Sequence, residues 1–207
     1  FRPPHLEYLM KPSDSNKLKL LKVLTKAMCE DVGIRVESRE RQWAFNTEDK
    51  VIYVSEKDLK LHGPEYCAGI LAHEVGHYKK KHIVINLFAS ILITGLTLYI
   101  LSLFISNPIL SQALGVEIPS FHIGLIAFGM LYSPLSEITG LLMNWLSRKF
   151  EYQADDYAKT TYKSEPLITS LKKLSKNSLS NLTPHKAYVF MHYSHPTLLE
   201  RIQNLRR

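Results

Sequence analysis

Two histidines four residues apart flank a glutamate in the stretch LAHEVGHYKKKH, residues 71–82. In a helix, residues i and i+4 lie on the same face, so His73 and His77 can direct two imidazole nitrogens at one point. Zinc binds such nitrogens at about 2.0 to 2.1 Å. Two ligands on one rigid helix lose little entropy on binding. The spacing therefore predicts a metal site.

Glu74 lies one residue after the first histidine. It is rotated around the helix axis far enough to avoid coordinating the metal, yet stays close enough to act as general base toward water that the metal activates. H-E-x-x-H metallopeptidases place their base in this way. Gly76 would let another segment or the substrate approach the helix closely. The alternative interpretation is two solvated histidines at the basic end of a helix.

Two apolar segments follow this motif. Residues 83–105 form a run of 23 without a charged side chain, and a helix of that length extends about 34 Å, enough to cross a hydrocarbon core of about 30 Å. Residues 121–146 are also long enough, although Pro134, Glu137 and Asn144 interrupt them. With the polar connector SNPILSQALGVEIPS between them, the segments predict a transmembrane hairpin. Buried helices of a soluble core are the alternative.

A hairpin returns the chain to the membrane face that it left. The helix predicted over SRKFEYQADDYAK, residues 147–159, then begins on the same side as His77. Because a catalytic zinc site needs three protein ligands and an open position, Glu151 is our candidate for the third ligand. Asp155, four residues later, is the candidate acceptor for the free ring nitrogen of a ligand histidine. Two acids on a helix otherwise indicate a solvated face.

Basic residues flank the hairpin on its outer sides. Lys79, Lys80 and Lys81 precede the first span and Arg148 and Lys149 follow the second, whereas the connector holds neither lysine nor arginine. The positive-inside rule puts both flanks in the cytoplasm. The formal net charge of +7 then indicates membrane lipid, and not nucleic acid, as a partner, since the sequence carries no nucleic-acid-binding motif.

The rest of the chain predicts mainly helices and a small sheet. The expected segments are a lead-in over 1–13, a helix over 14–29, strands over 34–37, 42–45 and 51–54 with a turn at NTED, and helices from Pro64, over 167–179 and from Pro196. Cys29 and Cys67 fit no Cys-x-x-Cys spacing and are expected to be reduced core residues. Since the chain starts without methionine or a signal peptide, we expect a piece of a longer protein.

Three separated motifs resemble CAAX prenyl protease 1, a family of integral-membrane zinc endopeptidases. They are HEVGH with its lysines and apolar helix, then YSPLSEITGLLMNWLSRKFEYQADDYA, then HYSHPTLLERIQNL. The motifs occur in the family's order over residues 71–205, roughly two thirds of the chain. HtpX-type membrane proteases share this order and are the second candidate. SPLSE and HYSHP favour the first.

The resemblance implies a mainly α (α+β) fold, with a zincin-like metalloprotease core and a small β-sheet, interrupted by a two-helix transmembrane hairpin. The expected parts are residues 1–82 and 147–207 of the catalytic domain and the hairpin 83–146. One zinc ion per chain is implied, on the ligands His73, His77 and Glu151. Glu74 would be the base, and Asp155 would orient a ligand.

The same resemblance implies that His195 and Arg201 stabilise the oxyanion and the local structure. His195 precedes Pro196 at a predicted helix start, and Arg201 lies on that helix, where either could donate to an oxyanion. A histidine in a capping turn and an arginine paired on the surface are the alternative. Two features depart from the family: Trp43 stands where an asparagine is usual, and the N-terminal spans are absent from this sequence.

The sequence thus predicts a membrane-anchored zinc endopeptidase with its active site on the cytoplasmic face. Its substrate would be a peptide or protein, with lipidated and membrane-embedded chains as candidates. One alternative is a non-catalytic membrane scaffold or holdase, for which Glu74→Gln would change nothing. Another is a basic surface-binding module, whose function would resist chelators and be abolished by salt.

Overall fold

The computed structural model describes residues 12–40, 43–46, 48–105, 107–118 and 120–207. Parts of four predictions lie outside these residues: most of the lead-in 1–13, Gln42 of a strand, Thr47 of the NTED turn, and Ser106 and Pro119 of the connector. In chain order the described elements are α1 (Pro12–Val32), β1 (Arg35–Arg39), β2 (Ala44–Asn46), β3 (Val51–Ser55), α2 (Glu56–His62), α3 (Pro64–Lys79), α4 (His82–Ile105), α5 (Pro108–Ala113), α6 (Phe121–Thr161), α7 (Ser164–Asn177), α8 (Lys186–His192) and α9 (Leu198–Arg206). This mainly helical fold with one small sheet confirms the predicted fold class.

The three strands form one sheet in the order β1-β3-β2. β1 pairs with β3 in parallel, and β2 pairs with β3 antiparallel. The central strand β3 buries Val51, Ile52 and Val54, in keeping with its β-branched sequence. Among the described residues, β2 is therefore an edge strand.

The chain divides into two compact units. The first comprises Phe1–Lys80, Phe150–Pro184 and Pro196–Arg207. In this unit α3 packs against both α1 and α7. Its hydrophobic core includes the buried side chains Leu21, Val54, Leu71, Val75 and Leu167.

The second unit comprises Lys81–Lys149 and His185–His195. Its helices α4 and α6 are long and apolar enough to cross a membrane by length and composition. Their apolar side chains are largely exposed, and Phe104 meets Phe128 near the connector with ring centroids 6.3 Å apart. The predicted polar connector contains the short helix α5.

The helices differ from the sequence prediction in several places. The second apolar segment and the expected helix over 147–159 are one continuous helix, α6, which runs through Pro134. Proline removes one backbone donor, and an apolar environment favours keeping the other helical hydrogen bonds. The short helices α2, α5 and α8 were not predicted. The last helix begins at Leu198 and not at Pro196, because the Thr197 side chain accepts from the Glu200 backbone and forms a capping box.

Candidate metal centre

The helix α3 carries both predicted histidines. It begins after Gly63, whose φ of +87° suits glycine, and Pro64 occupies its first turn. His73 is buried, His77 is half-buried and Glu74 is exposed. One helix thus directs its two imidazoles toward the interior and leaves the glutamate on the open side.

A second helix approaches α3 closely at this point. A Cβ atom added at Gly76 would lie 3.0 Å from the Ala154 Cα atom of α6 and 3.1 Å from the Ala154 carbonyl oxygen. Ala154 and Ala158 are fully buried small residues of α6. Gly76 therefore accommodates another segment of the chain, and the close approach brings the neighbouring residue Glu151 of α6 to the histidines.

Three ligand atoms converge between these helices. The Nε2 atoms of His73 and His77 lie 3.1 Å apart. Glu151 Oε2 lies 3.5 Å from His73 Nε2, and Glu151 Oε1 lies 3.5 Å from His77 Nε2. Among the described residues, this His-His-Glu set is a group that could hold a metal ion.

The separations fit a tetrahedral zinc site. Ligands at about 2.0 to 2.1 Å from a tetrahedral zinc ion lie about 3.3 Å from one another. Here the two Nε2 atoms lie 3.1 Å apart and each lies 3.5 Å from a different oxygen of Glu151. Two neutral imidazoles and one carboxylate are also a donor set that zinc takes in catalytic sites. The residues present therefore fit the ion that the sequence predicts.

Asp155 lies behind this group. Its Oδ1 atom is 2.9 Å from His73 Nδ1, and its side chain is fully buried. A hydrogen bond from Nδ1 to this carboxylate fixes the tautomer of His73, so the Nε2 lone pair faces His77 and Glu151. This is the arrangement expected of a histidine prepared to bind a metal.

Arg201 of α9 joins both carboxylates. Its Nε and Nη2 atoms donate to the two Asp155 carboxylate oxygens at 2.8 and 2.6 Å, a bidentate pair. Its Nη1 atom lies 3.0 Å from Glu151 Oε2. The sequence predicted Arg201 near the site but did not predict this bridge, which holds a candidate ligand and its supporting residue together.

In this network, burial and ion pairing shift the pKa values of Asp155 and Arg201 in opposite directions. Burial raises the pKa of Asp155, but the hydrogen bonds from His73 and Arg201 outweigh it, and the net shift is downward. Burial lowers the pKa of Arg201, yet the hydrogen bond and charge of Asp155, with the charges of Glu151 and Glu74, raise it overall. Both residues are therefore held in their charged forms.

The edge strand β2 lies beside α3. Phe45 packs edge-on against Tyr78, with ring centroids 5.1 Å apart, and Tyr78 follows His77 directly. Trp43 Nε1 donates to Asp58 Oδ2 at 2.9 Å, which fixes the position of the indole ring. The sequence did not predict the contact between Phe45 and Tyr78, because no local pattern relates the two residues.

His195 belongs to the second unit, whereas the other six predicted site residues belong to the first. It lies in the segment between α8 and α9, with an exposed side chain. Its part in the site stays a prediction.

Known proteins resemble this chain over most of its length. Residues 20–207 match the model of Peptidase family M48. The human CAAX prenyl protease 1 homolog is 34% identical over 186 residues, covering 89% of this chain. CAAX prenyl protease 1 of Saccharomyces cerevisiae is 35% identical over 159 residues, covering 66% of this chain. These matches confirm the resemblance noted in the sequence.

A solved structure resembles the fold. The crystal structure of S. mikatae Ste24p matches with a TM-score of 0.75 and 27% identity, covering 90% of this chain and 50% of that one. The chain spans 38% of the human relative and 33% of the yeast relative. With the family model matched from residue 20 to the last residue, the chain belongs to peptidase family M48.

Proposed function

We propose that the chain is the catalytic part of a membrane-anchored, zinc-dependent endopeptidase. The observation that carries the proposal is the convergence of His73, His77 and Glu151: the two Nε2 atoms lie 3.1 Å apart, and each lies 3.5 Å from one of the two Glu151 carboxylate oxygens. His73, His77 and Glu151 would hold one zinc ion. When bound there, zinc acts as a Lewis acid that activates water and polarises a peptide carbonyl.

Glu74 is the proposed general base. It is exposed next to His73, and its charge contributes to the raised pKa of Arg201. Glu74 would take a proton from the attacking water and pass it to the amine that leaves. Asp155 would hold His73 in the tautomer that leaves Nε2 free. Arg201 would fix Asp155 and Glu151.

His195 is the proposed donor to the oxyanion, in line with the resemblance of HYSHP to the family. An imidazole or guanidinium placed near the developing negative charge lowers the barrier to peptide hydrolysis. Arg201 already makes three short contacts to Asp155 and Glu151. We therefore assign the oxyanion role to His195 and a positioning role to Arg201.

The substrate is proposed to bind as an added strand along β2. This strand has an unpaired edge among the described residues, and Phe45 places it beside α3. Backbone hydrogen bonds to an edge strand recognise extended peptides without demanding one sequence. The names of the relatives indicate prenylated CAAX peptides as the substrate class, and these relatives favour that class over the quality-control alternative.

The membrane anchor is proposed to consist of α4 and the apolar part of α6, with the site on the cytoplasmic face. Lys79, Lys80 and Lys81, which precede α4, and Arg148 with Lys149 on α6 support this orientation. A site at the membrane surface suits substrates that carry a lipid.

Peptide cleavage by the purified membrane protein tests the proposal. The measurement compares wild type, Glu74→Gln and the matched control Glu65→Gln, an exposed acid on the same helix. We expect chelator-sensitive cleavage by wild type and Glu65→Gln. Glu74→Gln should be inactive while keeping its zinc. Equal cleavage by all three proteins, with or without chelator, would refute the proposal.

A further inference from the structure

The C-terminal end of α8 is bonded to α6 within the second unit. Asn144 Nδ2 donates to the Met191 carbonyl oxygen at 2.8 Å. Arg148 Nη1 donates to the carbonyl oxygens of Tyr193 at 2.5 Å and Val189 at 3.4 Å. Two side chains of α6 thus donate hydrogen bonds to three backbone carbonyls in the last turn of α8 and just after it.

These contacts answer a physical need of a short helix. The last carbonyls of a helix have no partner within it, and a cation near them is favourable. Asn144 and Arg148 are four residues apart on α6 and therefore share a face. The Arg148 guanidinium also lies over the Phe190 ring at 5.9 Å. At the other end, His185 Nδ1 accepts from the Ala187 backbone at 3.3 Å, so both ends of α8 are fixed.

The fixed end of α8 leads directly to His195. Tyr193 caps α8, and its carbonyl accepts the shortest of the three bonds. His195 is only two residues further along the chain, so whatever holds Tyr193 limits where the His195 backbone can lie. When a catalytic group is misplaced by about 1 Å, the rate can fall on the order of 100-fold.

We propose that Arg148, assisted by Asn144, is a positioning residue for His195. The bonds to α8 hold the residues that follow this helix and thereby fix the backbone from which the His195 side chain extends. This inference rests on the proposed function and adds a residue to its machinery. It also gives a reason for the polar Asn144 near the end of the largely apolar segment 121–146.

The neighbouring Lys149 separates this role from a general effect of charge. Its Nζ atom lies over the Trp145 ring at 5.4 Å, and its side chain is exposed. Arg148 is half-buried and bonds to backbone carbonyls. Replacing either residue by alanine removes one positive charge from the same flank of the predicted span, so Lys149→Ala controls for membrane orientation.

The test is a double-mutant cycle of Arg148→Ala and His195→Ala, with kcat, KM and bound zinc measured on the membrane protein. We expect Arg148→Ala to lower kcat by about 10- to 100-fold while KM and zinc content stay near wild type. The double variant should be no slower than His195→Ala alone, because both changes remove one function. Arg148→Lys should keep part of the activity, and Lys149→Ala should match wild type.

Several results would overturn the inference. If the kcat losses of the two single variants multiply in the double variant, Arg148 does not act through His195. A fully active His195→Ala variant would show that His195 has no catalytic role for Arg148 to support. If Arg148→Ala fails to fold, Asn144→Ala must show a smaller kcat loss that also vanishes beside His195→Ala. A zinc-loaded wild type that cleaves no peptide would refute the proposed function as well. An active wild type, combined with kcat losses that multiply in the double variant, would refute only the inference about Arg148.

Discussion

Asp155 holds one candidate ligand in place through a network of charged side chains. It accepts from His73 at 2.9 Å and from two Arg201 nitrogens at 2.8 and 2.6 Å, and it is fully buried. Burying a lone carboxylate is costly, and these partners offset that cost. The same bonds orient His73. Asp155 should therefore affect metal affinity without touching the metal.

We predict that Asp155→Asn weakens zinc binding about 10- to 100-fold. The amide would remove the negative charge that pairs with Arg201 and would accept poorly from His73. Competition against a fluorescent zinc chelator measures the affinity. The matched control is Asp156→Asn, because Asp156 lies on the same helix and accepts from Asn204 at an exposed position. Equal zinc affinities for the two variants would contradict the assignment.

Cys67 provides a test of burial at the residue scale. Burial, followed by the charge of Asp58, raises the pKa of its thiol to about 12, and its side chain is fully buried. The thiolate is the reactive form, so a raised pKa leaves almost none of it at neutral pH. We predict that Cys67 resists iodoacetamide in the native protein and reacts readily in denaturant. A native alkylation rate that follows a midpoint of about 8.5 would contradict this.

At the scale of elements, glycines allow α3 to pack tightly against its neighbours. A Cβ atom at Gly69 would lie 2.7 Å from the Leu167 backbone nitrogen and 2.9 Å from the Pro166 carbonyl carbon. The clash is with the backbone of α7, which cannot turn aside as a side chain can. The helix that carries His73 and His77 thus packs closely against neighbouring backbone at both Gly69 and Gly76.

Gly69→Ala should destabilise the protein by about 1–3 kcal/mol, because α3 and α7 must separate to admit the methyl group. Gly95→Ala is the control, since a Cβ there would meet no described atom within 4 Å, and alanine favours helix by about 1 kcal/mol. Thermal unfolding in detergent gives the comparison. A Gly69→Ala protein as stable as wild type would show that the helices are not in such close contact.

The local spacing of residues predicted most helices and strands. The features that it did not predict depend on contacts between residues far apart in the sequence. The period of four between His73 and His77 specifies one helix face, so the histidine pair could be inferred from sequence. Glu151 required the additional step of a hairpin that returns the chain. The bond between Arg201 and Asp155 joins residues 46 apart in sequence, and no local pattern encodes it.

The missed helix α8 shows the same limit. It is seven residues long, too short for a helical period to stand out, and its end is stabilised by Asn144 and Arg148, more than 40 residues away. The sequence did not predict one continuous α6, because Pro134 and the polar residues after it are typical of an interrupted helix. A backbone in an apolar environment favours helical hydrogen bonds over such a break.

At the scale of the whole molecule, the charge pattern predicts that the connector and the flanks lie on opposite sides of the membrane. Single cysteines at Gln112 and Lys186 can test this, because both positions are exposed and the native cysteines are buried. We predict that an impermeant thiol reagent labels Gln112→Cys in intact cells and Lys186→Cys only after permeabilisation. The reverse pattern would place the site outside the cytoplasm.

His73, His77 and Glu151 are proposed to share a single zinc ion. Zinc content of the purified protein, combined with zinc X-ray absorption, shows whether they do. We predict one zinc per chain with two imidazole ligands and oxygen ligands, and a large loss of zinc in Glu151→Gln but not in Glu165→Gln, an exposed acid in the first turn of α7. Wild type without zinc, or Glu151→Gln with undiminished zinc and an unchanged spectrum, would contradict the account.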